Sequence, residues 1–234
     1  MLKDLNLKKE KADVRRLKDL AAVVYDRQWY AVADKEMPLY WMWRGLKEAD
    51  GLRYDILQFA EGSLGQELPK TAGHKHSLAD DDLSYPELYQ VLAGEVIYLL
   101  QRKTGTNLGK VVAMPCQAGD FCLVPPNFEH ITINLAGEKT FMANWTASAN
   151  RPDYSDVKLK HGGAYFGLKG SPVSWEKNSN YGEVPPLQFL PPTDLAALGI
   201  DIKKDALYNL EHHAAVLNFI KEPQNHNDLW ASLF

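Results

Sequence analysis

The feature that most constrains this chain is a series of short, strand-like segments that follow one another closely between residues 87 and 145. Runs rich in Val, Ile, Leu and aromatic residues are separated by turn-forming residues such as Ala93-Gly94 and Gln117-Ala118-Gly119. Many short strands with regular turn chemistry are typical of a β-barrel or a β-sandwich. We therefore predict an all-β domain. The strands are predicted at residues 87–92, 95–102, 109–114, 120–124, 130–135 and 139–145.

The segment before this series predicts a β-hairpin. Two strand-like runs lie within residues 39–59, on either side of an Asp-Gly pair, and this is a common hairpin turn. The aromatic residues Tyr40, Trp41 and Trp43 lie in its first strand. At strand spacing, such residues are expected in the core or at a subunit interface.

The ends of the chain differ from its middle. Apolar residues spaced by three or four between 207 and 217 predict an amphipathic helix. The first residues are charged and weakly patterned, which indicates an arm or a short helix. We divide the chain into an N-terminal arm (1–36), a barrel domain (37–170) and a C-terminal extension with a helix (171–234).

Composition limits the partners and the location. The net charge of −4 gives no global attraction to a polyanion, so no nucleic-acid partner is expected. No apolar run approaches the length of a membrane span, and the first residues lack a secretory pattern. The two cysteines, Cys116 and Cys122, do not form a disulfide framework and are expected to pack as thiols. A soluble, cytoplasmic protein with no membrane partner is expected.

A histidine–glutamate constellation is the main functional signal. His74 and His76 are two residues apart, so on an extended strand both imidazoles point to the same face. Glu87 and His130 follow further along the chain. Three neutral nitrogen donors and one carboxylate suit a divalent first-row metal such as iron, manganese, nickel or zinc. So few ligands leave positions open for substrate oxygens, as a catalytic site requires.

These residues resemble the paired motifs of the cupin superfamily, G-x5-H-x-H-x3-4-E-x6-G and G-x5-P-x-G-x2-H-x3-N. The second motif fits from Gly119 to Asn134 at every fixed position except that Asn127 replaces a glycine, and Asn also tolerates a positive φ. The first motif departs more, since ten residues separate His76 from Glu87. The resemblance implies a double-stranded β-helix (jelly-roll) barrel.

The ten-residue gap between His76 and Glu87 leaves the identity of the carboxylate ligand undecided. Asp80 and Asp81 lie at the usual cupin spacing from His76, so either of them is an alternative to Glu87. We prefer Glu87, because its Glu-x6-Gly register is intact and residues 78–84 are typical of a bulging loop.

Within the cupins, the chain resembles the archaeal-type glucose-6-phosphate isomerases. The resemblance rests on an ordered series of short matches from about residue 14 to residue 154, none of which is specific alone. The matching segments are Val14-Arg15-Arg16-Leu17-Lys18-Asp19, Thr71-Ala72-Gly73-His74-Lys75-His76, Glu87-Leu88-Tyr89, Leu99-Leu100-Gln101, Val124-Pro125-Pro126, His130-Ile131-Thr132-Ile133-Asn134 and Asp153-Tyr154.

The resemblance assigns roles by position. It implies that His74, His76, Glu87 and His130 hold one divalent metal ion per chain, with Fe²⁺ expected and Mn²⁺, Ni²⁺ or Zn²⁺ as alternatives. Our mechanistic hypothesis makes Glu87, beside the metal, the candidate catalytic base.

Substrate contacts are implied in the same way. Thr71 and Gly73 are expected to bind the sugar phosphate through a hydroxyl and a backbone N–H. Tyr89 is expected to line the sugar site, and Tyr154 to contact the phosphate. Arg151 stands near the position of a family histidine and can replace it, because a guanidinium binds phosphate bidentately.

The function that the resemblance implies is interconversion of glucose 6-phosphate and fructose 6-phosphate through a cis-enediol, a step of glycolysis and gluconeogenesis. It also implies a homodimer, for which the hairpin of residues 39–59 is the candidate contact. Other interpretations remain open: a cupin metalloenzyme acting on another sugar phosphate, a cupin oxygenase, a non-catalytic metal- or sugar-binding cupin, and a metal-free structural barrel.

Overall fold

The computed structural model describes residues 7, 12–135, 137–199, 207–208 and 216–233. The strands are β1 (Asp13–Arg16), β2 (Pro38–Ala49), β3 (Leu52–Phe59), β4 (Lys75–His76), β5 (Glu87–Ala93), β6 (Glu95–Thr104), β7 (Asn107–Gln117), β8 (Phe121–Val124), β9 (Glu129–Asn134), β10 (Phe141–Ala147), β11 (Pro152–Asp153), β12 (Tyr165–Leu168), β13 (Ser174–Lys177) and β14 (Gln188–Phe189). The α-helices are α1 (Arg27–Val32), α2 (Ser155–Leu159), α3 (Asn218–Lys221) and α4 (Asn227–Ser232). The 3₁₀ helices are Leu17–Leu20, Ser179–Tyr181 and Pro223–Asn225.

Two sheets carry the architecture. One has six strands in the order β1-β2-β3-β10-β5-β8, and the other has four in the order β14-β7-β6-β9. Their apolar side chains meet in a shared core, which includes Val91 and Met142 from the first sheet and Tyr98 and Val112 from the second. The predicted jelly-roll class is therefore confirmed, although the two sheets do not close into one continuous barrel within the part of the chain that the structure describes.

Alternation along each strand determines which side chains enter this core. On β6, Val96, Tyr98 and Leu100 face the space between the sheets, whereas Ile97 and Leu99 pack on the opposite side. Successive side chains of a strand point to opposite faces, so one strand contributes to two apolar layers.

The predicted hairpin forms as expected from β2 and β3, with Ala49 opposite Leu52. Asp50 and Gly51 both have positive φ (49° and 75°), which the tight turn between two twisted strands requires. The N-terminal segment adds β1 to the edge of β2 in antiparallel register.

The C-terminal part of the chain covers the outer face of the six-stranded sheet. Phe219 and Ile220 are buried there against residues of β3 and β10, and the indole Nε1 of Trp145 donates to the carbonyl oxygen of Leu207 at 2.5 Å. Trp43 belongs to the same cluster. The helix predicted over residues 207–217 falls mostly outside the described residues. Among the helices that are described, none is long and apolar enough to span a bilayer.

A buried ion pair anchors the segment that leads to β4. The side chains of Glu67 and Lys70 are 1% and 4% exposed and contact each other. Lys70 Nζ also donates to the carbonyl oxygen of Val23 at 2.7 Å, and the backbone N–H of Tyr25 donates to Glu67 at 2.8 Å. The pair therefore ties residues 64–76 to the N-terminal segment.

Candidate metal centre and its cavity

Three separate segments bring four candidate ligands together between the two sheets. His74 and His76 lie at β4, Glu87 begins β5, and His130 lies on β9. One ligand atom from each of the four lies within 4.8 Å of the others. The segment around His74 is held next to β9 by backbone hydrogen bonds in both directions between His74 and His130. The structure thus brings together the four side chains that the sequence nominated.

The chemistry of these side chains fits a divalent cation. His76 Nδ1 lies 2.7 Å from the carbonyl oxygen of Tyr85, so Nδ1 donates its proton there and Nε2 is directed towards the other candidate ligands. That Nε2 is buried, has no hydrogen-bond partner among the described residues and lies 3.1 Å from Glu87 Oε2. An imidazole nitrogen and a carboxylate oxygen at this separation can bind one cation together.

The other two imidazoles are also suited to binding a metal. Burial, together with the neighbouring imidazoles, lowers the pKa of His130 well below its usual value, and burial has the same effect on the pKa of His74. Both rings are therefore neutral at physiological pH, the form in which histidine binds metals.

The carboxylate of Glu87 is fixed by two hydrogen bonds. Tyr89 OH donates to Oε2 at 2.8 Å, and Asn144 Nδ2 donates to Oε1 at 2.5 Å. Burial, followed by the charge of Glu87, raises the pKa of Tyr89, so its hydroxyl keeps the proton that it donates. Tyr89 and Asn144 face each other on the paired strands β5 and β10, so the sheet register itself sets the orientation of Glu87.

The rival carboxylates lie outside this cluster. Asp80 and Asp81 are exposed, in a loop closed by a bridge between Leu78 and Ser84. Of the candidate carboxylates, the ligand group contains Glu87. The preference for Glu87 from the sequence therefore agrees with the geometry.

The two departures from the cupin motifs are linked in space. Asn127, which replaces the motif glycine, has a φ of 66°. Its side chain accepts from the backbone N–H of Ser84 at 3.0 Å and donates to the carbonyl oxygen of Asp82 at 2.8 Å. The asparagine therefore holds the inserted loop, a function that glycine, which has no side chain, does not provide.

A cavity of about 520 Å³ is lined in part by the four candidate ligands. All five predicted substrate-binding residues line it: Thr71, Gly73, Tyr89, Arg151 and Tyr154. The hydroxyl oxygen of Thr71 accepts the backbone N–H of Thr132 at 3.0 Å, which leaves its proton available for another acceptor. The ring of Tyr154 lies 5.5 Å from that of His74. The guanidinium of Arg151 donates to two backbone carbonyl oxygens, each at 2.8 Å.

Gly73 occupies a position that requires glycine. Its φ is 80°, and a Cβ at this position would clash with Ile131 Cγ1. The glycine lets the chain pass close to β9 immediately before His74, and this close approach brings the imidazole of His74 to that of His130.

Several other cavity residues were not predicted from the sequence. They share positions on the inward face of the six-stranded sheet. They are Arg15, Tyr40, Arg44, Arg53, Asp55 and Asn144. Tyr40 is buried, as predicted, but it also lines the cavity and is not only a core residue. The other five residues are polar and occupy strand positions that face inward. Such a pattern in the sequence could have identified them as candidates for the site.

A jelly-roll of two sheets, with three histidines and one glutamate gathered between them, defines this protein as a cupin with a candidate metal centre. Comparison with known proteins narrows the class. The profile of the family described as Glucose-6-phosphate isomerase (GPI) matches residues 14–183, and the chain belongs to this family.

Two curated relatives carry the name of this family. Glucose-6-phosphate isomerase from Thermococcus gammatolerans is 31% identical over 153 residues, which cover 63% of this chain and 75% of that protein. The protein of the same name from Thermococcus onnurineus is 32% identical over 151 residues, with the same coverage of both chains. Among solved structures, a cupin superfamily protein from Desulfitobacterium hafniense aligns with a TM-score of 0.30 and 15% identity, over 46% of this chain and 76% of that one.

Proposed function

We propose that this protein interconverts glucose 6-phosphate and fructose 6-phosphate with the help of one divalent metal ion per chain, iron being the expected ion. Its family membership supports the reaction. The observation that carries the proposal is the position of the four-residue cluster in the wall of a cavity whose lining, among the described residues, includes four arginines and two carboxylates. Such a cavity combines a place for sugar oxygens with an excess of positive charge for a phosphate.

Aldose–ketose isomerisation moves a proton between C1 and C2 of the sugar. It requires a base beside those carbons, stabilisation of the negative charge on the sugar oxygens and a fixed phosphate. A divalent ion bound by the four ligands would supply the charge stabilisation.

Glu87 is the proposed base. In the direction from aldose to ketose, its carboxylate takes the proton from C2, and the C1 carbonyl oxygen is protonated as the cis-enediol forms. The same carboxylate then returns the proton to C1 on the same face, while the O2 hydroxyl loses its proton and becomes the C2 carbonyl, so that one proton has moved from C2 to C1 and one from O2 to O1. Its hydrogen bonds from Tyr89 and Asn144 limit rotation of the carboxylate, so that the same group stays close to both carbons. Burial of Glu87 keeps bulk water from exchanging with the proton in transit.

The test is an isomerase assay with purified protein before and after EDTA, followed by addition of Fe²⁺, Mn²⁺, Ni²⁺ or Zn²⁺ in turn. We expect EDTA to abolish turnover and at least one ion to restore it. Loss of general-base catalysis costs about 10²–10⁴-fold in rate, so the variant Glu87→Gln should lose most activity in metal-loaded protein.

Matched controls come from the neighbouring loop. Asp80→Asn and Asp81→Asn each remove one exposed carboxylate near the site in sequence, and both should retain wild-type turnover. Near-wild-type activity of Glu87→Gln would contradict the assignment of the base. Absence of isomerase activity in a wild-type protein that binds one metal ion per chain would contradict the proposed substrate, and oxygen consumption by that protein would instead indicate an oxygenase.

A further inference from the structure

The positive charges that line the cavity differ in how they are compensated. Arg53 Nε donates to Asp55 at 3.0 Å, and Asp55 is buried, so that pair is neutral. Arg151, which like Arg44 is exposed, donates from one terminal nitrogen, Nη1, to two backbone carbonyl oxygens and has no carboxylate partner among the described residues.

The remaining two cations share one carboxylate. Arg44 lies 2.5 Å and Arg15 lies 3.2 Å from the same oxygen of Asp13, on the edge strand β1. Among the described residues, these two guanidinium groups and one carboxylate leave one unit of positive charge at this side of the cavity. Burial acts to lower the pKa of Arg44, but Asp13, followed by Asp55 and Tyr154, outweighs that effect and raises the pKa.

Arg44 is directed into the cavity by an irregularity of the hairpin. On β2 the alternate residues Tyr40, Met42 and Arg44 line the cavity. The register then shifts: Trp43 pairs with Ile56 and Lys47 pairs with Tyr54, so that three residues of β2 oppose the single residue 55. Such bulges next to a site redirect a side chain without breaking the sheet.

The backbone of the bulge is held by the side chain of Asp55 on the neighbouring strand β3. Gly45 has a φ of 65°, and its backbone N–H donates to Asp55 Oδ1 at 2.8 Å. The other oxygen of Asp55 accepts from Arg53. The backbone next to Arg44 is therefore held by a buried carboxylate, while Asp13 holds the guanidinium itself. A side chain fixed at both ends loses little freedom when it binds an anion.

We propose that Arg44, with Arg15 beside it, binds the phosphate group of the substrate, and that the hairpin bulge is the element that positions it. This inference rests on the proposed function for the identity of the sugar phosphate, but not for the presence of a phosphate site. A planar guanidinium directed into a cavity matches the geometry of phosphate oxygens. On this basis Arg44 is the main phosphate ligand, and Arg151 is at most a secondary one.

The test measures binding of inorganic phosphate to metal-loaded protein by isothermal titration calorimetry, so that turnover is not needed. Four proteins are compared: wild type, Arg44→Gln, Arg44→Lys and Arg102→Gln. Arg102 is an exposed arginine of β6 that does not line the cavity, so its variant changes the net charge by the same amount elsewhere.

We expect Arg44→Gln to weaken phosphate binding by about 10- to 100-fold, as for loss of a charge-assisted hydrogen bond. Arg44→Lys should keep part of the affinity, because the positive charge remains but the planar guanidinium that binds two phosphate oxygens at once is lost. Arg102→Gln should bind as wild type does. In the isomerase assay, the KM for fructose 6-phosphate should rise in Arg44→Gln by a similar factor.

Two results would overturn the inference: wild-type protein that does not bind phosphate, or Arg44→Gln that binds it as tightly as wild type. Circular dichroism and the melting temperature of each variant identify a folding defect. If Arg44→Gln has such a defect, phosphate binding by Arg44→Lys is compared with that of wild type instead. If phosphate binding depends on Arg44 but no isomerase activity is found, the phosphate site stands and the proposed reaction fails.

Discussion

The buried pair of Glu67 and Lys70 yields a prediction about stability that the structure makes quantitative. Both side chains are almost fully buried, and Phe166 lies under the ammonium group at 4.9 Å. The variant Lys70→Met keeps most of the apolar stem but removes the charge. Glu67 is then left in an apolar site without its cation.

The expected cost follows from that isolation. Removing one partner of a buried ion pair destabilises a protein by about 3–5 kcal/mol, and the hydrogen bond from Lys70 to Val23 adds about 1 kcal/mol. Domains have a total stability of about 5–15 kcal/mol, so Lys70→Met should be close to the limit of folding. The double variant Glu67→Gln/Lys70→Met should recover about 2 kcal/mol, since a neutral amide still accepts the N–H of Tyr25.

The pH dependence has a definite sign. Burial raises the pKa of Glu67, and Lys70 opposes that rise. A carboxyl group with a raised folded-state pKa contributes stability that is present below its unfolded pKa of about 4.3. This contribution is lost as the pH increases through the folded pKa. Without Lys70 the folded pKa is higher still, so the difference in stability between Lys70→Met and wild type should become smaller as the pH falls towards 4.

Urea denaturation at several pH values measures these differences, with m values checked for two-state unfolding. The prediction would be refuted if Lys70→Met lost less than about 1 kcal/mol at pH 7, well below the cost of an isolated buried charge. It would also fail if the double variant were no more stable than the single one, because the cost would then arise from lost packing and not from charge.

Three further predictions concern the site. Gly73→Ala should destabilise the protein by about 1–3 kcal/mol in thermal unfolding, because the new Cβ meets Ile131 at a positive φ. Asn144→Ala removes the donor to Glu87 Oε1 and should lower metal affinity or kcat by about 10- to 100-fold, measured by metal titration and steady-state kinetics. Metal removal by EDTA should lower the melting temperature, and adding the metal back at about 100 times its Kd should restore about 2.7 kcal/mol.

Each of these has a matched control. Gly105 has a φ of 62°, and a Cβ at this position would have no neighbouring atom within 4 Å. Gly105→Ala therefore measures the cost of a positive φ without a steric clash. Equal losses of stability in Gly105→Ala and Gly73→Ala would contradict the steric explanation. Asn218→Ala, the control for Asn144→Ala, removes an exposed hydrogen bond from Asn218 Nδ2 to Glu222 Oε2. It should leave metal affinity unchanged. If His76→Ala responds to EDTA as wild type does, the stabilising ion is bound elsewhere.

Local rules predicted most of the fold. The strands from β5 to β10 begin and end within a few residues of their predicted bounds, because alternation and turn residues are encoded locally. The members of the candidate cluster could also be selected from the sequence, since His74 and His76 have strand spacing and Glu87 keeps its register to the following glycine. Their roles, the domain boundaries, the native metal, the homodimer and the cytoplasmic location stay predictions.

The rest of the site depends on which strands become neighbours, which spacing does not reveal. β3 pairs with β10, more than 80 residues further along the chain, and this pairing brings Asp55 opposite Asn144. Asn144 could have been noticed as a polar residue inside an apolar strand, but its partner Glu87 follows only from the pairing of β10 with β5. The direction of the Arg44 side chain could not be predicted either, because it depends on the bulge, and a bulge is defined by the pairing of two strands.

The central place of β10 in the six-stranded sheet has a consequence for hydrogen exchange. Its backbone is paired on both sides, with β3 and with β5, and its two faces are covered by the inner core and by the C-terminal segment. Amides in such a strand exchange with solvent only when the whole domain opens. The side chain that orients Glu87 is thus carried by the part of the molecule in which protection from deuterium should last longest.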